Sequence, residues 1–138
     1  MATFEALGIS SDLIKGLNEL NINKPTPIQE KTIPFLLEKG TDFIGQAQTG
    51  TGKTAAFGLP LIQKIDNDNR NTQALVLAPT RELCIQIASD LNNYARFKKT
   101  NVVAVYGGAS IMDQARNLKM ASGMRTQPQR HLFIEVTP

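Results

Sequence analysis

From residue 42 onward, short apolar runs alternate with longer stretches of helical periodicity, and this alternation constrains the fold more than any other feature. Ala74-Leu75-Val76-Leu77-Ala78 is the clearest run. Its unbroken apolar character predicts a strand buried on both faces. Asp42-Phe43-Ile44-Gly45, Val102 to Tyr106 and Leu132-Phe133-Ile134 read as further strands. Helical patterns fall between them: Lys53 to Ile65, disturbed by Pro60; Glu82 to Phe97, with Leu83, Ile87, Leu91 and Tyr94 facing inward; and a stretch opened by Ser110 and Asp113. Strands separated by helices of this length need crossover connections, which predicts the α/β class with a parallel sheet and helices on both faces. Ligands of such sheets sit beyond the carboxyl ends of the strands.

The first forty residues read differently. Ser10-Ser11-Asp12 supplies capping residues for a short helix carrying Leu13, Ile14, Leu17 and Leu20 on one face, weakened by Gly16. Thr26 stands before Pro27 and three residues before Gln29, the pattern of a capping box with proline in the first helical turn. That helix is expected to run towards Glu38-Lys39-Gly40, with Gly40 as a left-handed stop and Pro34 forcing a kink or break.

The balance of +3 conceals an asymmetry, because residues 1–90 carry 8 Lys/Arg against 10 Asp/Glu and residues 91–138 carry 7 against 2. The basic third (Arg96, Lys98, Lys99, Arg116, Lys119, Arg125 and Arg130) suits either a polyanion or a solvated face. Cys84 and His131 are the only residues of their types, which excludes an internal disulfide and a Cys/His zinc cluster. Cys84 falls on an apolar helix face and reads as core, and His131 as structural or exposed. No apolar run approaches the ~20 residues that span a bilayer, and a soluble, cytoplasmic chain with no membrane contact is expected.

Ala47-Gln48-Thr49-Gly50-Thr51-Gly52-Lys53-Thr54 lies between the first expected strand and its helix. Glycines there let successive backbone N–H groups turn inward, and the helix N-terminus adds partial positive charge, so the segment suits a phosphate. Lys53 is positioned to reach β- and γ-phosphates, and the Thr54 hydroxyl to ligate Mg²⁺. Ala47 stands where the strict pattern has glycine. Pro79-Thr80-Arg81-Glu82-Leu83 follows the next strand and opens a helix, presenting backbone N–H groups and a guanidinium outward, a phosphate-contacting arrangement or simply a helix cap. Gly107-Gly108 after the following strand permits close approach of a polymer backbone or makes a tight turn.

Taken with Lys24-Pro25-Thr26-Pro27-Ile28-Gln29, these motifs stand in the order and approximate spacing of a DEAD-box RNA helicase, which the chain resembles from Phe4 to about Lys119. The resemblance implies a RecA-like P-loop NTPase fold, incomplete here, with ATP and Mg²⁺ as cofactors. It divides the chain into a Q-motif region (1–40), a partial RecA-like domain (41–119) and an atypical tail (120–138). It implies that Gln29 reads the adenine edge, a role that competes with the capping box for one amide. Phe4 would pack near the adenine, or be an ordinary core residue, and Lys24 belongs to the same motif. With Asn21-Ile22 where relatives have a Gly-aromatic pair, less stacking on the base is expected. Residues 47–54 would hold the phosphates. Pro79, Thr80, Arg81, Glu82, Gly107 and Gly108 would hold one RNA strand by phosphates and 2′-hydroxyls, with little sequence preference.

Past Lys119 the family's Thr-Pro-Gly-Arg, Asp-Glu-Ala-Asp and Ser-Ala-Thr motifs do not follow. A truncated chain is therefore expected, one that supplies no carboxylate pair for Mg²⁺ and the attacking water and cannot unwind a duplex alone. Glu135 sits in the wrong context to substitute. Helices made for a larger sheet would leave an apolar patch or strand edge uncovered. The rival readings are a non-catalytic nucleotide- or RNA-binding interaction module and, less in keeping with the later motifs, a small phosphotransferase.

Overall fold

The computed structural model describes residues 2–38, 42–66, 68–69, 72–122 and 130–136, the backbone alone from residue 118 onward. Gly40, Arg125 and Thr137-Pro138 lie outside the described residues. The chain forms two compact units, residues 1–64 with 93–98, and residues 65–92 with 99–138.

The first unit is helical. Helix α1 (Ser11–Glu19) buries Leu13 and Leu17 completely, and Gly16 sits between them with its backbone against residues 93 and 94. A Cβ at Gly16 would lie 2.5 Å from the Tyr94 carbonyl oxygen. Glycine thus lowers helix propensity but permits the approach. Helix α2 (Pro27–Glu38) continues through Pro34 unbroken, and α3 (Lys53–Lys64) carries Pro60 in its buried face beside Leu59 and Ile62. The last carbonyls of α3 are held from outside the helix, since Lys98 Nζ donates to Ile62 O and Gln63 O, both at 2.6 Å. A cation there also meets the negative end of the helix dipole. Arg96 likewise pairs with Glu19 at 2.6 Å. Arg96 and Lys98, and Arg116 through Asp113 at 3.9 Å, therefore have intramolecular partners.

Residues 42–48 form no strand, contrary to the sequence expectation. Phe43 turns back onto Phe35, ring centroids 5.2 Å apart, and Ile44 is 98% exposed. A strand needs a ladder partner, and among the described residues this segment has none.

The second unit holds the sheet. Strands β1 (Ala74–Ala78), β2 (Thr100–Val105) and β3 (Arg130–Val136) are all parallel in the order β1-β3-β2, with α4 (Arg81–Tyr94) following β1 and α5 (Ile111–Ser122) following β2. The last strand in the sequence is thus the central one. Ala74 lies opposite Leu132 on one side, and Thr100 opposite Arg130 on the other. Burial of β1 on both faces is corrected: Leu75 and Leu77 are each 56% exposed while Ala78 is buried. The expected uncovered apolar surface is found here. On the outer side of β2, and just past its end, side-chain amides take backbone groups. Asn92 accepts from Val102 N–H (3.0 Å) and donates to its carbonyl (2.9 Å), and Gln114 does the same for Tyr106 (2.9 and 3.0 Å). Each side-chain amide imitates one rung of a ladder.

Candidate functional site

In the first unit, residues 47–54 form a turn leading into α3, with Gly50 at φ +78 and Gly52 at φ +84. Thr51 Oγ1 closes the turn by donating to Gln48 O at 2.7 Å. Gly52 caps α3, its carbonyl accepting from Ala56 N–H at 3.1 Å. The amides of Lys53, Thr54 and Ala55 are consequently first-turn donors without a carbonyl one turn earlier. Lys53 is exposed and reaches back to donate to Ala47 O at 2.5 Å; Thr54 is half-buried beside it in the same turn.

The loop is gripped from behind by the capping-box residues. Thr26 Oγ1 donates to Thr51 O at 2.9 Å, and Gln29 Nε2 donates to Gly52 O at 3.0 Å while its Oε1 accepts from Thr26 N–H at 3.0 Å. Only half of the expected capping box forms, because the Thr26 hydroxyl is directed to the loop. Across a trans peptide the N–H points opposite to the carbonyl. Fixing the carbonyls of Thr51 and Gly52 towards α2 therefore turns the N–H groups of Gly52 and Lys53 the other way. A Cβ at Gly52 would strike Gln29 Nε2. Gln29 is 2% exposed, and its amide keeps one hydrogen and one lone pair beyond these bonds. Phe4 is buried in the core at 4% exposure, and Lys24 is exposed.

The donor set of first-turn amides, ammonium and hydroxyl fits a polyphosphate. Thr54 is the one metal-ligating group the loop motif offers. No cluster of three or more His, Cys, Asp and Glu able to hold a metal exists among the described residues.

The remaining motif residues belong to the second unit. Thr80 Oγ1 accepts from Leu83 N–H at 3.2 Å, so Thr80 does cap α4. Pro79, Thr80, Arg81 and Glu82 are exposed, as are Gly107 and Gly108 in the turn after β2. The two motifs converge: the Arg81 guanidinium carbon lies 4.8 Å from the centre of the Tyr106 ring, and a Cβ on Gly108 would be 3.4 Å from Arg81 Nη1. Tyr106 was not singled out in the sequence, though it directly precedes the glycine pair. Cys84 is fully buried and donates weakly to Val105 O at 3.8 Å; burial pushes its thiol up, only partly offset by that bond, so it is an inert core residue.

The family description DEAD/DEAH box helicase matches residues 26–135. The chain belongs to this family. The match passes Lys119, where the motif resemblance ends, and takes in most of β3. Among relatives, the ATP-dependent RNA helicase CshA of Listeria monocytogenes is 54% identical over 119 residues, 86% of this chain and 23% of that protein. Among solved structures, the RNA helicase Prp28 of Chaetomium thermophilum bound to ADP has a TM-score of 0.80 at 37% identity, covering 99% of this chain and 32% of that one. Dbp5 of S. cerevisiae bound to RNA and ADP BeF3 gives 0.79 at 28% identity with the same coverage. The fold is accordingly that of an incomplete RecA-like DEAD-box domain, and the chain spans about a quarter of the relative's length. No helix among the described residues is long and apolar enough to cross a membrane.

Proposed function

We propose that this chain is the ATP-binding N-terminal portion of a DEAD-box RNA helicase, in which residues 47–54 receive the phosphates of ATP. Lys53 neutralises the terminal phosphoryl groups, Thr54 contributes a hydroxyl to Mg²⁺, and the remaining hydrogen and lone pair of Gln29 serve the adenine edge with Phe4 and Lys24 in support. The observation that carries this reading is the double grip of Thr26 and Gln29 on the loop carbonyls, which turns the N–H groups of Gly52 and Lys53 away from α2. In the second unit Pro79, Thr80, Arg81, Glu82, Gly107 and Gly108 hold one RNA strand through its phosphate backbone, in keeping with the RNA-bound state of Dbp5. Residues 1–40 act as the Q-motif region and 41–119 as the partial RecA-like domain. Bound nucleotide supplies the phosphoryl group whose transfer to water drives the complete enzyme.

The 138 residues contain no Asp-Glu-Ala-Asp motif, so the chain by itself binds nucleotide without efficient turnover and does not unwind. Titration of fluorescent ATP into the purified chain tests the reading. Binding is expected, with a loss of about tenfold or more in Lys53→Ala, since a charge-assisted phosphate bond contributes about 1.5–3 kcal/mol. No binding, or equal binding by Lys53→Ala, overturns it, and RNA-stimulated hydrolysis by the isolated chain overturns the claim of silence.

A further inference from the structure

We propose that Tyr106 is a positioning residue for RNA, its ring serving as the platform that holds the Arg81 guanidinium beside the Gly107-Gly108 turn; this rests on the reading of Arg81 as a phosphate contact. Arg81 is exposed in the first turn of α4, where a long side chain would otherwise sample many rotamers. Instead its guanidinium carbon stands 4.8 Å from the Tyr106 ring centre. Its Nη1 also comes within 3.4 Å of where a Gly108 Cβ would be. A guanidinium over an aromatic face is attracted by the ring quadrupole, and its planar shape suits stacking in a way an ammonium does not.

The platform is itself anchored. Gln114 on α5 accepts from Tyr106 N–H at 2.9 Å and donates to Tyr106 O at 3.0 Å, fixing the backbone at the point where β2 has ended and the glycine turn begins. An unbroken chain of contacts thus runs from α5 through Tyr106 to Arg81. A bare, glycine-lined turn beside an oriented guanidinium leaves room for a phosphodiester backbone to approach the N–H fork. Holding that fork in place before RNA arrives removes an ordering cost from binding.

The test is the affinity of the intact chain for a labelled single-stranded oligouridylate, read by anisotropy across a salt series. Tyr106→Leu and Arg81→Lys are each expected to weaken binding about 2- to 5-fold, the range of an exposed cation–π contact. The double variant is expected to bind no worse than the weaker single one, and Tyr106→Phe to restore wild-type affinity. Arg81→Ala lowers the salt slope by about one. The Arg81 side-chain protons, shifted by the ring current, should move in Tyr106→Leu and stay in Tyr106→Phe. Wild-type affinity in Arg81→Lys, or multiplicative losses in the double variant, overturns the platform while leaving the RNA reading intact. An Arg81→Ala chain that binds RNA unchanged, or an unaltered chain that does not bind RNA, overturns both.

Discussion

Alanine at Gly52 and at Gly50 makes a paired measurement of the grip on the phosphate loop. The two glycines have nearly the same backbone, φ +84 and +78, so a side chain costs each about 1–2 kcal/mol of left-handed strain. Their surroundings differ. An added Cβ at Gly50 meets nothing within 4 Å, whereas at Gly52 it strikes Gln29 Nε2 and comes within 3.3 Å of Thr26 Oγ1. Displacing the Gln29 amide breaks its bonds to Gly52 O and Thr26 N–H, each contributing about 1 kcal/mol. The expected destabilisation is therefore about 1–2 kcal/mol for Gly50→Ala and about 3–4 kcal/mol for Gly52→Ala. In urea, with a slope of about 2 kcal/mol/M, the unfolding midpoint read by circular dichroism falls by about 0.5–1 M and about 1.5–2 M respectively. A Gln29→Ala background removes the obstructing amide together with its bonds, so the excess at Gly52 should disappear there. Equal midpoints for the two alanine variants, or an excess that survives in Gln29→Ala, refutes the reasoning.

Gly16→Ala gains about 1 kcal/mol of helix propensity. It also places a methyl 2.5 Å from the Tyr94 carbonyl, so a lower melting temperature is expected, and a higher one would disprove the close approach. Asn92→Leu leaves Val102 N–H and C=O without their amide; a loss of about 1–3 kcal/mol in chemical denaturation and increased light scattering are expected. Burial pushes the Asp90 carboxyl above its ordinary value of 3.8. The folded state thus keeps this proton to higher pH than the unfolded chain, and the associated stability is full below the ordinary value and is lost as pH rises through the raised one. Asp90→Asn should raise the urea midpoint at neutral pH and lose that advantage in acid; an advantage constant across pH would contradict it.

The crossover pattern was legible because continuous apolar runs and helical periods differ over many residues, and the phosphate loop because its glycines, lysine and threonine are adjacent. What escaped the sequence depends on distant partners. Thr26 was readable as a cap, but its hydroxyl is taken by a carbonyl 25 residues away. Asp42 to Gly45 had the composition of a strand, but composition does not supply the neighbour that completes a ladder. Gly16 looked like a flaw in α1 until residues 93 and 94 occupied the space of its missing side chain. Leu132-Phe133-Ile134 was readable as a strand, yet no local feature showed that it would become the middle of the sheet. Tyr106 and Gln114 carry no motif of their own, and their positions have meaning only once Arg81 and the glycine turn are brought together.

The amides of Asn92 and Gln114 give the sheet a handed future. Along the flank of β2 the N–H and C=O of Val102 are already taken, as are those of Tyr106 just past its end, so an incoming segment meets an interrupted edge. Along Ala74–Ala78, among the described residues, nothing comparable blocks the way, and two leucines already offer grease. Accretion of new backbone, whether productive or pathological, is expected on the other side, and a lysine installed at residue 75 or 77 would be the direct way to shut it.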